Sequence, residues 1–406
     1  MRAIRNFISR DLFSSSLLSH SFCVRHLGGY FNSGSRRLHL AGRALSDSNH
    51  DLEVLNRFTS GRWLWRERQQ LACRYVKFDM SKLLELAASL IGSKHCVQAV
   101  KISEGQYNKV FLLTMNDGRE VIAKLPNPNA GRPHFATASE VATMDFLRNV
   151  LNLPVPKVHA WSSRASENPV GAEYIIMEKQ AGVVLSDVWE SMKGKQKAQI
   201  VLQAVDVEKT LASTKFTKLG ALYYQNDLPA MLDNTSPLYV DRDGKEVHGA
   251  KFGIGPTNHR SFFDFGRGEL DIDHGPWSTP TEFMVAIANR EILCARAGLR
   301  YPLIPEGLFS GPRQLTCPLQ FSAAEVQQQE QDEELWAQGV ELMNDFISDT
   351  GCFKHWDGKV SDADYELSKR QLAEGIERFL DREARNEEER EMWLKALPFV
   401  DHEETG

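Results

Sequence analysis

The stretch Glu104-Gly105-Gln106-Tyr107-Asn108-Lys109-Val110-Phe111, followed by Val121-Ile122-Ala123-Lys124, decides how this chain is read. Ala99–Ile102, Lys109–Met115 and Glu120–Leu125 have the composition of strands. Asn116-Asp117-Gly118 joins the last two as a hairpin turn, because these residue types tolerate positive φ. The first two strands are joined by the loop around Gly105, where the absence of a side chain lets backbone approach a phosphate. Lys124 then ends the third strand, with an ammonium that can reach the α and β phosphates of a nucleotide. A long flexible side chain needs a restraint, and Glu140 on the next helix is the natural partner.

The pattern continues outward from this core. Pro126, Pro128 and Pro133 mark a loop, and a helix is expected over Thr137–Leu151, capped by Thr137 or Ser139. Pro154 and Pro156 end it. Ala172–Met177 is an apolar strand, and Met177 and Glu178 open a linker whose backbone would meet an adenine edge. On the amino-terminal side, residues 50–97 read as helical, with a stripe in Lys82–Ile91 stopped by Gly92. Leu185–Leu211, Ser278–Ala297 and the charged region from Ser322 onward are expected to be helical. Gly220–Gly275 is mixed and turn-rich.

The 406 residues allow two or three domains. A net charge of -6 argues against a nucleic-acid binder, and no apolar run is long enough for a membrane span. Cys23, Cys73, Cys96, Cys294, Cys317 and Cys352 are irregularly spaced with no C-x-x-C pair, so they are read as reduced thiols. Residues 1–46 differ from the rest: seven arginines, no lysine and a single acid, Asp11. Ile4, Phe7, Ile8 and Leu12 recur at helical spacing, so the segment reads as a basic amphipathic mitochondrial transit peptide.

Taken together, these blocks resemble the aminoglycoside phosphotransferase (choline-kinase-like) superfamily, and within it the fungal altered-inheritance-of-mitochondria kinase-like proteins. The likeness rests on Phe58–Trp65, Glu104–Phe111, Thr137–Met144 and Asn168–Glu178. It continues more loosely through Gly253-Ile254-Gly255-Pro256 and Gly275-Pro276-Trp277, then through Trp393 and Pro398-Phe399. The resemblance implies an α+β, protein-kinase-like two-lobed fold. Its N-lobe is a small antiparallel five-stranded sheet with one helix, and its C-lobe is mostly helical. It also implies ATP as the expected ligand and a mitochondrial address. The cofactor-binding candidates are Gly105, Asn108, Lys124, Glu140, Met177 and Glu178.

The same resemblance calls for a second signature, H-x-D followed five residues later by Asn and then by a second, metal-binding Asp. It is expected after about residue 297, yet Tyr301–Phe321 contains neither histidine nor aspartate. His355-Trp356-Asp357 is a decoy: position 362 is Asp362, and Tyr365–Trp393 reads as one long charged helix. Asp271, Asp273 and His274 read as a surface loop, because no partner completes a metal set. The C-lobe is therefore read as incomplete, Mg2+ has no assigned ligands, and no catalytic residue is named. The expected organisation is a transit peptide over 1–46, a helical extension over 47–96 and the N-lobe over 97–182. A partial C-lobe with an insert follows over 183–321, and a helical segment over 322–406. The expected function is that of a pseudokinase in mitochondrial maintenance or inheritance. The alternative is an active ATP-dependent phosphotransferase acting on a small-molecule hydroxyl.

Overall fold

The computed structural model describes residues 38–39, 55–228, 236–264, 267–296, 323–353, 357–397 and 399–400. The chain divides into two compact units. One unit comprises residues 35–57 and 73–290 and is organised around an antiparallel sheet. Its strands are β1 (Leu38–His39), β2 (Cys96–Glu104), β3 (Asn108–Met115), β4 (Glu120–Pro126), β5 (Val158–Ser162) and β6 (Tyr174–Glu178). They lie in the order β1-β2-β3-β4-β6-β5. The four strands that the pattern located are present as β2, β3, β4 and β6, β5 completes the five implied by the resemblance, and the two-residue β1 extends the edge beside β2. The strand β5 lies in a stretch where the sequence pattern placed no element.

Alternation along the strands sets the two faces. Phe111, Leu113, Met115, Val121, Ala123 and Leu125 point one way and are buried. The helix α1 (Met80–Leu90) covers that face with Leu83, Leu84 and Ala87. The Asp79 carboxylate caps α1 by accepting from Lys82 N at 3.0 Å, and Gly92 at φ +70° follows its end. Gly118, at φ +82°, turns the hairpin as the Asn-Asp-Gly signal implies.

The helix α2 (Phe135–Asp145) starts two residues earlier than expected. Its N-cap is His134 at φ +69°, with no side-chain cap, and Thr137 and Ser139 are buried inside it. A π turn, Phe146–Val150, carries it onward. Ala142 and Phe146 pack on Leu222, Tyr239, Phe252 and Ile254, which belong to short strands in the turn-rich region. The Asp145 carboxylate sits at this junction, accepting from Tyr224 Oη at 2.6 Å and Lys251 Nζ at 2.5 Å. The expected helix over 185–211 breaks into Leu185–Trp189 and Gly194–Ser213, and the second of these buries no residue.

The other unit joins residues 58–72 to the carboxy-terminal helices. Here the helical reading of 50–97 fails locally, because Arg62–Trp63 is a strand paired with Lys359–Val360. Trp65 packs edge-on to Phe353 and Phe399, each at 5.1 Å, within a core that includes Phe346, Leu380 and Trp393. The single helix expected over Tyr365–Trp393 is two, Tyr365–Glu383 and Glu387–Ala396. Asn386 starts the second by accepting from Glu389 N at 2.9 Å. Gly358 explains why a turn precedes them. It has φ +73°, and a Cβ there would lie 2.6 Å from the Trp65 ring. Gly358→Ala is expected to lower the thermal midpoint of this unit, costing about 2 kcal/mol from positive-φ strain and overpacking. A midpoint within 1 °C of the parent, read by tryptophan fluorescence, would contradict this packing.

Candidate functional site

The face of the sheet opposite α1 carries the site. Strand register places Val110 opposite Lys124 on β3–β4, and Ile122 opposite Met177 on β4–β6. Val110, Leu112, Ile122 and Met177 are half-buried, so this face is an apolar surface still open to a ligand. Lys124 shares it, because position 124 is in phase with Ile122 and out of phase with buried Ala123 and Leu125.

Lys124 Nζ donates to Glu140 Oε1 at 2.5 Å. The lysine side chain is 18% exposed and the glutamate 39%, so the pair sits at the edge of the open face. Glu140 lies on α2 between buried Ser139 and Val141, which hold that turn of helix against its neighbours. This geometry matches the restraint expected from the spacing of the two residues.

The loop 104–108 is tied at both ends. Gly105 N donates to Asn108 O at 3.0 Å, and Asn127 N to Tyr107 O at 2.7 Å. Gly105 is outside the left-handed region, and a Cβ there would meet nothing within 4 Å. Its missing side chain therefore leaves open space above the loop; the backbone conformation does not demand glycine. Asn108 begins β3 opposite Pro126. Met177 and Glu178, expected in the linker, are instead the last two residues of β6. The Glu178 carboxylate accepts from Lys157 N at 3.1 Å, a bond that pulls its pKa below the ordinary value. The Glu178 side chain is thereby committed to the strand edge.

A buried charge network beneath the loop escaped the sequence reading. Glu104 accepts from Lys101 Nζ at 2.8 Å, and Lys109 Nζ lies 3.9 Å from the same oxygen. Lys109 Nζ also donates to Asn127 Oδ1 at 2.8 Å and to Arg74 O. Asn127 Nδ2 donates onward to Gln106 O at 3.3 Å. Burial pushes the Lys109 pKa down to about 8 and lowers that of Lys101. A signal was available: Lys109 is in phase with Phe111 and Leu113, so a lysine occupies a core-facing position.

The expected surface-loop cluster also has defined contacts. Asp273 Oδ1 accepts from Gly275 N at 2.9 Å and Oδ2 from Trp277 Nε1 at 2.8 Å. Among the described residues no group of three or more His, Cys, Asp or Glu side chains is placed to hold a metal ion. His355 lies outside the described residues, and Asp357 Oδ1 accepts from Lys359 N at 3.2 Å. Among the described residues Cys73, Cys96, Cys294 and Cys352 form no disulfide, and no described helix is long and apolar enough to cross a membrane.

Comparison with known proteins places this geometry. Residues 98–246 match the phosphotransferase enzyme family. The matched segment contains the loop, Lys124, Glu140 and β6. The chain is 44% identical over 182 residues to a subtelomeric hrmA-associated cluster protein of Aspergillus fumigatus, covering 45% of this chain and 33% of that one. It is 28% identical over 264 residues to altered inheritance of mitochondria protein 9, mitochondrial, of Yarrowia lipolytica, covering 60% and 45%. The same-named protein of Komagataella phaffii is 29% identical over 219 residues, covering 52% and 35%. The chain thus spans between a third and a half of the length of these relatives. No solved structure matches it. The resemblance read from the sequence blocks stands on these matches.

Proposed function

We propose that this chain is a mitochondrial nucleotide-binding protein of phosphotransferase descent, in which the sheet with α2 acts as a kinase-like small lobe and phosphoryl transfer is impaired. The observation that carries this reading is the Lys124–Glu140 ion pair at the edge of an open apolar face. An adenine ring would pack on Val110, Leu112, Ile122 and Met177, while the 104–108 loop covers the phosphates. Lys124 would neutralise the α and β phosphates, and Glu140 would restrict its rotamers so that less entropy is lost on binding.

The sequence supports the reading of impaired transfer. Within the chain as written, no H-x-D is followed at the family spacing by Asn and a second Asp. The mitochondrial address rests on the basic, acid-poor residues 1–46 and on the names of the relatives. A maintenance or inheritance role rests on those names alone. In the two-lobed reading, 97–182 is the N-lobe, 183–321 a partial C-lobe, and 47–96 and 322–406 flanking helical segments.

The second reading, an active phosphotransferase on a small-molecule hydroxyl, is favoured by the family match itself. One assay separates the two. Purified residues 47–406 are expected to gain thermal stability with ATP and to release γ-phosphate no faster than buffer containing magnesium. Magnesium-dependent release above that background would replace the first reading with the second.

A further inference from the structure

A second cluster of cations lies beside the 104–108 loop, in the same unit and outside the nucleotide face described above. Arg260 stacks over the Tyr107 ring of that loop, with its guanidinium carbon 4.2 Å from the ring centre. One of its nitrogens, Nη2, pairs with Asp264 Oδ2 at 2.7 Å. The other two, Nε and Nη1, are buried and have no hydrogen-bond partner. Leaving a buried donor unpaired costs about 1–3 kcal/mol, so native proteins pair such groups with water, an ion or a ligand.

Three further features converge on the same place. Phe263, three residues after Arg260, stacks on the His274 ring at 4.6 Å and 9°. His274 Nε2 is likewise buried without a partner. The Arg132 guanidinium lies over the other aromatic wall, 4.5 Å from the Phe135 ring and 5.5 Å from the Phe263 ring. Arg132 is exposed and, among the described residues, pairs with no carboxylate. Burial, and then Arg132, hold the His274 pKa below the ordinary histidine value, which puts the two groups within electrostatic reach. Phe135 opens α2, so the positive end of that helix lies in the same region.

The nearby acids are already engaged. Asp264 is held by Arg260, Asp273 by Gly275 N and Trp277 Nε1, and Glu173 by His134 N at 2.8 Å. The cluster therefore carries positive charge and unused donors in a partly desolvated, aromatic-walled setting. The planar Arg132 guanidinium suits a tetrahedral oxyanion and can bind it bidentately, while Arg260 offers single N–H donors.

We propose that Arg132, Arg260 and His274 form an anion subsite that holds the phosphate group of a phosphorylated small-molecule acceptor, next to the loop that covers the nucleotide. This assignment rests on the nucleotide reading of the Lys124 face for its acceptor role, though not for anion binding itself. The two arginines supply charge-assisted donors. His274 Nε2, buried and unpartnered, donates to the anion when the ring is protonated.

The test uses the whole chain with inorganic phosphate and ATP as separate probes, read by calorimetry. Phosphate is expected to bind the parent protein and to weaken at least fivefold in both Arg132→Ala and Arg260→Gln. ATP affinity is expected to stay within twofold in both. Lys124→Ala is expected to behave oppositely, losing ATP while keeping phosphate. If Arg260→Gln fails to fold, Arg132→Ala alone decides, because Arg132 is exposed. No phosphate binding by the parent, or binding unchanged in Arg132→Ala, would overturn the subsite. Loss of both ligands in the arginine variants would overturn the acceptor assignment, because the anion held would then be the terminal phosphate of the nucleotide. Phosphate binding that depends on Arg132, with no ATP binding by the parent, would support the subsite while removing the nucleotide reading.

Discussion

Lys124→Ala is expected to abolish the thermal shift produced by ATP and to raise its Kd by ten- to a hundredfold. A hydrogen bond to a charged group is worth about 1.5–3 kcal/mol, which corresponds to that range. Fold stability is expected to change little, because the pair is partly solvated and such pairs contribute about 1 kcal/mol or less. Lys124 is 18% exposed and Glu140 39%, so neither becomes a stranded buried charge when its partner goes. Glu140→Gln is expected to weaken ATP less, about three- to tenfold, because the cation remains and loses only part of its restraint. Calorimetric titration of both variants beside the parent checks the order. ATP binding by Lys124→Ala at parental affinity would move the nucleotide off this face altogether.

The second large effect is structural. Glu104 is the carboxylate that serves two buried lysines: its side chain is 1% exposed, with those of Lys101 and Lys109 at 3% and 0%. Glu104→Gln keeps the shape and removes the charge, leaving two buried cations uncompensated. The expected cost is about 3–5 kcal/mol, typical of breaking a buried ion pair from one side. The pH dependence has a definite sign. Lys109 has a folded pKa near 8, below that of an unfolded lysine, so between those values the unfolded chain binds more protons. Stability from this group therefore rises as pH climbs from about 8 towards 10.5. The variant should show a steeper rise, because loss of the carboxylate lowers both lysine pKa values further. Urea midpoints at pH 7 and 9.5 measure this. Equal midpoints for Glu104→Gln and the parent at pH 7 would show that the network carries no net stability. Because Asn127 ties Lys109 to the 104–108 loop, the variant should also bind ATP more weakly.

Much of the sheet was legible because short-range chemistry specifies it. Alternating apolar positions, the Asn116-Asp117-Gly118 turn and the prolines that punctuate 126–156 each act within a few residues. The Lys124–Glu140 pairing was legible for the same reason, as strand phase and helix phase leave few ways to orient either side chain. The helix α2 was harder. Its start depends on His134, whose ring bonds Ser163 Oγ at 2.7 Å and whose N–H meets Glu173, both distant in sequence. The break after Glu383 was missed because charged residues on both sides continue the helical pattern, although Asn386, which caps the second helix by accepting from Glu389 N, was a local signal for it.

Local patterning thus determined, without further help, the strand–loop–strand order, the lysine and its acid, and the basic character of residues 1–46. Tertiary contacts decided the rest. They buried Lys101, Glu104 and Lys109 as one network, paired Arg62–Trp63 with Lys359–Val360, and gathered Arg132, Arg260 and His274 around Phe263. The physical reason is distance along the chain. Hydrogen-bond periodicity and turn preferences act over a handful of residues and leave a readable trace. Arg260 on Tyr107 and Arg132 on Phe263 stack across more than a hundred positions, and the Lys109 ammonium is satisfied by Asn127 and Arg74, 18 and 35 positions away, so the partners of these cations lie beyond the reach of local patterning.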